Sequence, residues 1–373
     1  MLIVRGAIKD YDWGIVDGLQ PWSGHATDAP QAELWFGAHP GGPSPLVDTA
    51  GAPTGEFLAD HFDVEAIPLL VKLLAAARPL SVQVHPPKAV AAAGWRAQHD
   101  PGAEWVYSDP FEKTEMLVAL ESFEAFAGWR PIGEAAEVLS HVAGAADAVA
   151  ALRAVDRPAA IRLLLAMAPG AAVAGLEQAA RAAGLPDAEV AAYRTVHENY
   201  PDDPGALLTP LLAYLHLDAG QAVFVPAGVP HSYIRGIGLE VMTSSDNVVR
   251  LGLTHKPVFV EHAIGALDDG KKPQVLMTSH GDVIWPVAAP FIVRMISTGG
   301  ERIPHGAYRI VLLVEGSARV ESEFGEFTLR PGTAAVISAD DPDSFVEADG
   351  LVAIIQSTTV QVEQHLGVDP DEH

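Results

Sequence analysis

Cysteine is missing altogether from this chain of 373 residues. Its absence excludes disulfide staples, thiolate metal sites and cysteine nucleophiles, and leaves the redox compartment open. Basic residues are scarce as well: 23 Lys and Arg stand against 48 Asp and Glu, a formal net charge of −25. That balance argues against a nucleic-acid partner and against an anionic membrane surface, because both are bound through basic patches. Long uninterrupted apolar runs are also lacking. The most apolar region, residues 159–176, is broken by Arg162 and by Pro169-Gly170, so it reads as buried helices and not as a membrane span. The opening Met1-Leu-Ile-Val-Arg-Gly6 has neither the basic start nor the apolar stretch of a signal peptide, which makes the cytoplasm the expected location. What remains is a chain 49% hydrophobic, with material for a sizeable core and a length that suggests two domains or three.

Scarcity gives the lysines positional meaning. There are seven, and four of them (Lys72, Lys88, Lys113 and Lys256) fall inside or beside the motifs below. Chance placement is the ordinary explanation. If they converge, an acidic protein is keeping a small basic pocket for a small anion.

Along residues 1–130 the pattern is one of short strand-like runs punctuated by Gly and Pro. Between residues 131 and 200 the character changes: segments 135–153 and 159–167 are rich in Ala, Leu and Glu at helical spacing. Pro169-Gly170 and Gly184-Leu-Pro186 are the predicted helix boundaries. Strand patterns return after residues 200–205 and persist. The reading is a mainly β chain with a helical insertion.

The later region holds an internal echo. Residues 217–231 can be laid beside residues 329–343, so that Gly220 meets Gly332, Phe224 meets Val336, Pro230 meets Pro342 and His231 meets Asp343. Each copy reads as a turn, an apolar strand and a second turn, the unit of an antiparallel barrel. A repeat of this kind predicts a second barrel, from about Pro273 onward, that lacks the histidine and is metal-free.

Three segments supply candidate metal ligands. In Pro79-Leu-Ser-Val-Gln-Val-His-Pro86, Gln83 and His85 lie two apart on a strand and therefore share a face; taken alone, the segment is better explained as a strand with a polar outer face. In Gly220-x5-Pro226-x-Gly228-x2-His231 a strand runs into a Pro/Gly turn that delivers His231. This spacing resembles the second cupin motif, whose histidine binds metal at the mouth of a jelly roll, except that Arg235 stands where that motif ends in asparagine. In Asp109-Pro-Phe-Glu-Lys-Thr-Glu-Met116 a carboxylate would complete a set of two imidazoles, one amide oxygen and one carboxylate, a sulfur-free set suited to zinc, though manganese, iron or cobalt also fit. Spacing alone does not choose between Glu112 and Glu115.

Seven ordered blocks together carry a wider resemblance. They are Tyr11-Asp-Trp-Gly14, Ala32-Glu-Leu-Trp-Phe-Gly-Ala-His-Pro40, Leu80-Ser-Val-Gln-Val-His-Pro86, Lys113-Thr-Glu-Met116, Phe123-Glu-Ala-Phe-Ala-Gly-Trp-Arg-Pro131, Val225-Pro-Ala-Gly-Val-Pro-His-Ser-Tyr233 and Ser245-Asp-Asn-Val-Val-Arg-Leu-Gly-Leu-Thr254 followed by Lys256. Over nearly its whole length the chain resembles the type I mannose-6-phosphate isomerases (phosphomannose isomerases) of the cupin superfamily. The resemblance implies two cupin-type jelly-roll barrels with an α-helical insertion: a catalytic cupin domain from residues 1–130 and 205–265, the insertion at 131–204, and a metal-free cupin-like barrel at 266–373. It implies one Zn2+ held by Gln83, His85, Glu115 and His231. It further implies Arg250 as the active-site arginine, Lys113 near the reacting carbons, and Lys72, Lys256, Asp246 and Asn247 about the substrate. Two departures bear on chemistry. Thr114 stands where the family usually has proline, and Glu112 where bacterial members often have a histidine; if that histidine assists ring opening, another group must do so here. Ile15 replaces the serine that often follows Trp-Gly.

The implied reaction interconverts mannose 6-phosphate and fructose 6-phosphate, moving one hydrogen between C1 and C2. It needs a base for the carbon-bound proton and a stabiliser for the enediolate, roles open to Lys113 and Arg250. A metal-cupin oxygenase, an isomerase acting on glucose 6-phosphate and a non-catalytic sugar-binding cupin are the competing readings. The expected partner is a small sugar phosphate and the expected state a monomer, with oligomerisation left open.

Overall fold

The computed structural model describes residues 1–62, 67–276, 283–323 and 325–358. Two large sheets dominate it, antiparallel in every pairing among the described residues. In the first, Gln274–Leu276, Ala222–Val225, Glu115–Ala119, His231–Thr243, Leu69–Ala76, Glu33–Phe36 and Ala7–Lys9 lie side by side in that order. Leu69–Ala76 is a continuous apolar run with one lysine, and all eight of its residues are buried. Such a run suits a strand covered on both faces and not an amphipathic one. His231–Thr243 is long enough to pair with Phe123–Trp129 and Val82–Val84 at one end and with Leu69–Ala76 at the other. It thereby curls the sheet into a barrel.

The second sheet runs from Phe291–Ile303 through Ser344–Ser357, Arg309–Leu313 and Thr333–Ile337 to Leu2–Arg5, Pro45–Val47 and Pro53–Phe57. The amino-terminal strand is thus hydrogen-bonded to Thr333–Ile337, with Leu2 opposite Val336. Conversely Gln274–Leu276 pairs with Ala222–Val225 of the first sheet. Strands at residues 2–5 and 45–57, read from sequence as part of the catalytic unit, therefore belong to the sheet of the carboxy-terminal barrel. The strand at 274–276, read as part of that barrel, belongs to the other sheet. The cause lies in long-range pairing, which local pattern does not encode.

The echo corresponds to equivalent strands. The order Ala222–Val225, Glu115–Ala119, His231–Thr243, Leu69–Ala76 recurs as Thr333–Ile337, Arg309–Leu313, Ser344–Ser357, Phe291–Ile303. Gly220 and Gly332 open the repeated strand with φ of +86° and +78°, and at Gly332 a Cβ would stand 1.9 Å from the Trp22 carbonyl oxygen. Register extends the match: Glu115 faces Val225, and Arg309 faces Ile337. Arg309 therefore occupies the position of Glu115 in the second barrel. It is fully buried, and its guanidinium donates to the carbonyls of Pro304, Pro342, Ser338 and Asp341. Asp343, the counterpart of His231, accepts from Arg302 and from the His305 backbone amide, and its carboxylate lies 2.7 Å from His305 Nδ1.

Between the barrel strands, helices Ile132–Ser140, Ala146–Arg153, Arg157–Leu165, Pro169–Ala174, Leu176–Ala182 and Asp187–Asn199 form the insertion. The segment at 135–153, read as having helical spacing, forms two helices divided at a turn where Gly144 adopts φ +86°. Among the described residues no single helix is long and apolar enough to cross a membrane. The insertion's apolar side packs on Val82, Val84, Phe126 and Leu251 of the first barrel. This packing leaves the opposite faces of those strands for the site.

Candidate metal centre and active site

Neighbouring strands bring the predicted residues into one row. Arg250 faces Gln83 across Val249–Gly252 and Val82–Val84, and Gln83 in turn faces His231. Val82 and Val84 point into the insertion core, so alternation turns Gln83 the other way, and His85 follows just past the strand. Glu115, the first residue of Glu115–Ala119, completes the group. His85, Glu115 and His231 are essentially inaccessible to solvent, at 0%, 1% and 0% exposure. Glu115 Oε2 lies 3.0 Å from His85 Nε2, Glu115 Oε1 lies 2.9 Å from His231 Nε2, and one donor atom from each of the three lies within 4.8 Å of the others. Gln83 Nε2 is 3.1 Å from His231 Nε2, while its Oε1 accepts from Ser81 Oγ; ligation through the oxygen requires a turn of the amide. Glu112 stands apart, accepting from the Lys88 backbone amide.

The donor set fits a cation. His85 Nδ1 is 2.8 Å from the Asn247 carbonyl oxygen and His231 Nδ1 is 3.1 Å from that of Val229. A nitrogen facing a carbonyl carries the proton, so in each neutral ring Nε2 presents a lone pair. Both lone pairs then point at a carboxylate, an acceptor-to-acceptor arrangement that a positive charge among them would relieve. Burial, followed by the Lys113 ammonium, pushes His85 down to about 4, which keeps the ring neutral near pH 7. Burial opposes the charge on Glu115, but the Lys113 ammonium beside it holds its carboxyl well below the usual range. Neutral imidazoles and an ionised carboxylate are the protonation states a divalent metal requires.

Cations surround this group. Lys113 Nζ is 3.0 Å from Glu115 Oε2. Lys72 lies 3.1 Å from Glu240 and 3.6 Å from Glu33, and against burial those two carboxylates hold it charged. Arg250 and Lys256 form no side-chain hydrogen bond or ion pair with the described residues. Burial lowers the pKa of both, and for Lys256 the neighbouring Arg250 adds to it. Of the four motif lysines, Lys88 does not converge; it lines a separate cleft of about 600 Å³. Asp246 is exposed and lies 3.0 Å from His39 Nε2, whose contact holds the Asp246 carboxyl low. Asn247 is 1% exposed, with its side-chain amide bonded to Asp109, Phe111 and the Ser108 amide. Only its carbonyl faces the centre.

Sequence reading left Glu33, Glu240, Ser81 and Tyr233 without roles, yet all lie here. Tyr233 donates to Glu115 Oε1 at 3.2 Å. The available signals were glutamates inside apolar strand runs, and Ser81 and Tyr233 two residues from Gln83 and His231 on the same strand faces.

A double barrel of this topology with a buried His–Glu–His cluster at one end defines a cupin-type protein built around a candidate metal centre. Comparison with known proteins narrows the class. The family described as phosphomannose isomerase type I, catalytic domain, matches residues 1–132. Mannose-6-phosphate isomerase of Salmonella typhimurium is 32% identical, over 92% of this chain and 96% of its own. That of Escherichia coli is 31% identical over 93% and 97%. Among solved structures, a lysine-to-alanine mutant of the Salmonella typhimurium phosphomannose isomerase superposes with a TM-score of 0.81 at 29% identity, covering 96% of this chain and 99% of that one. A mannose 6-phosphate isomerase bound with zinc and yttrium superposes with a TM-score of 0.79 at 29% identity, again over 96% and 99%. The chain belongs to the type I phosphomannose isomerase family.

Proposed function

We propose that this protein interconverts D-mannose 6-phosphate and D-fructose 6-phosphate with one divalent metal, zinc by preference, held by Gln83, His85, Glu115 and His231. The observation that carries this reading is the convergence of two imidazole lone pairs on a buried carboxylate, within the barrel mouth of an isomerase-family chain. When bound, such a metal acts as a Lewis acid toward the C1 and C2 oxygens of the open-chain sugar. This reading gives the proton transfer between C1 and C2 to Lys113, whose ammonium lies 3.0 Å from Glu115 Oε2 and must first give up a proton to act as the base. Arg250, half-buried and without a side-chain partner, offers a planar fork of donors to an enediolate oxygen or to the phosphate. Lys256 supplies a second, more exposed cation beside it. Lys72, its charge balanced by Glu33 and Glu240, is taken as a buried cation on the substrate side. Asp246 and His39, paired with each other, are taken to lie on the substrate side, and Asn247 serves through its carbonyl.

The same reading assigns the catalytic unit mainly to the first barrel and takes the second as metal-free, with Arg309 filling the Glu115 position. It also takes the protein as a cytoplasmic monomer with no nucleic-acid or membrane partner. The deciding experiment is metal analysis of the purified protein together with isomerase assays before and after chelation, using mannose 6-phosphate and, in parallel, glucose 6-phosphate. One metal per chain, loss of activity on chelation and recovery with zinc are expected with the mannose ester. Full activity in metal-free protein, or turnover of the glucose ester alone, overturns it.

A further inference from the structure

The loop at residues 245–247 has no regular structure, yet it supplies the carbonyl that fixes His85. One carboxylate touches all three of its residues, beside the Phe111 carbonyl and the Ser108 amide that bond Asn247 and the Ser108 hydroxyl and His39 that meet Asp246. Asp109 accepts from Ser245 Oγ at 2.9 Å, from the Asp246 amide at 2.9 Å and from Asn247 Nδ2 at 2.9 Å. It also closes its own turn by accepting from the Phe111 amide at 2.9 Å, and its carbonyl accepts from Asn247 Nδ2 at 2.7 Å. Three consecutive residues are thereby tied to one side chain. The same side chain lies six residues before Glu115, so the segment bearing one candidate ligand fixes the orientation of another.

We infer that Asp109 is a positioning residue: it clamps the 245–247 loop so that the Asn247 carbonyl holds the His85 ring with Nε2 aimed at Glu115. The inference rests on the proposed metal-isomerase reading. A ring whose Nδ1–H partner is fixed has one orientation about its last torsion; a loosened partner allows several, and each misdirected orientation is lost to binding. Removing outer partners of ligating histidines typically costs about 10- to 100-fold in metal affinity.

The test measures zinc affinity of the full-length protein by chelator competition, and the metal-free protein's imidazole signals by ¹⁵N–¹H NMR. Asp109→Ala is expected to weaken zinc binding about 10- to 100-fold, to raise by the same factor the zinc concentration that half-restores activity, and to lose the protected Nδ1–H signal of His85. Asp109→Asn, which keeps one acceptor oxygen but turns an NH2 toward the Asp246 amide, should fall between. Asp17→Ala removes a comparable clamp, on Thr27 and Asp28 far from the centre, and should leave zinc affinity unchanged. If Asp109→Ala does not fold, Asp109→Asn and Ser245→Ala replace it, with smaller shifts in the same direction. Unchanged zinc affinity and an unchanged His85 signal in the folded variants overturn the inference. Wild-type protein that fails to bind zinc overturns the metal reading instead, and the His85 signal then still decides whether Asp109 positions the ring.

Discussion

His231 contributes an imidazole that is fully buried and oriented by the Val229 carbonyl, so its loss removes a donor without removing a strand. His231→Ala should lose metal and isomerase activity together while far-UV circular dichroism stays near wild type; a fully metallated, active variant would remove His231 from the centre. The cations divide by what they touch. A group engaged at the reacting carbons lowers kcat when lost, by about 10²–10⁴-fold for a general base. A group contacting only the phosphate mainly raises KM. Lys113→Ala and Arg250→Ala should therefore depress kcat with zinc retained, and Lys256→Ala should act mostly on KM, as steady-state kinetics at saturating zinc will report. Proton linkage gives a further expectation. His85, pushed down to about 4 in the folded chain, titrates near 6.5 when unfolded. The unfolded chain then binds the extra proton first, so stability held above pH 6.5 is lost as pH falls toward 4. Thermal midpoints of chelated protein should drop across that window, and His85→Gln should drop less.

At the scale of the element, the repeated strands make a natural comparison between two solutions to one geometry. Where the first barrel sets Glu115 toward two imidazoles, the second sets Arg309, which gathers four loop carbonyls. A guanidinium can close loops from within much as a metal does, because its five donors spread in a plane. Arg309→Met keeps the bulk but strands those carbonyls. It should lower unfolding free energy by about 2–4 kcal/mol, measured by urea titration, with zinc content and kcat unchanged. A neutral effect on stability would mean that water replaces the guanidinium at little cost.

For the whole molecule, one apolar cluster joins the two sheets. It contains Leu34, Leu73 and Phe224 of the first sheet together with Val4, Phe291, Ile310 and Val336 of the second. Units sharing a core melt together, since exposing one face exposes the other. Heating should therefore produce coincident transitions by far-UV and near-UV circular dichroism; two separated transitions would show that the barrels are independent. The net charge of −25 frames the site in the same way. Against that background Arg250 and Lys256 set two positive charges near each other, which on the proposed function would attract a small dianion.

How much of this was legible in the sequence follows from the range of each interaction. Periodicity and turn residues determined the helical insertion, the strand face shared by Gln83 and His85, and the turn delivering His231, because all depend on neighbours within a few positions. The Gly220/Gly332 echo was legible for the same reason, since a left-handed turn demands glycine locally. Spacing left Glu115 and Glu112 equal and only the family resemblance preferred Glu115; in the structure the pairing of Glu115–Ala119 with His231–Thr243 carries Glu115, and not Glu112, to the imidazoles. Likewise, the amino-terminal strand's place beside Thr333–Ile337, the Lys72–Glu240 contact and the Asp109 clamp join residues more than a hundred positions apart. Nothing in local spacing encodes such contacts; they exist because the curled sheets bring distant backbone into register and leave buried polar groups to satisfy one another.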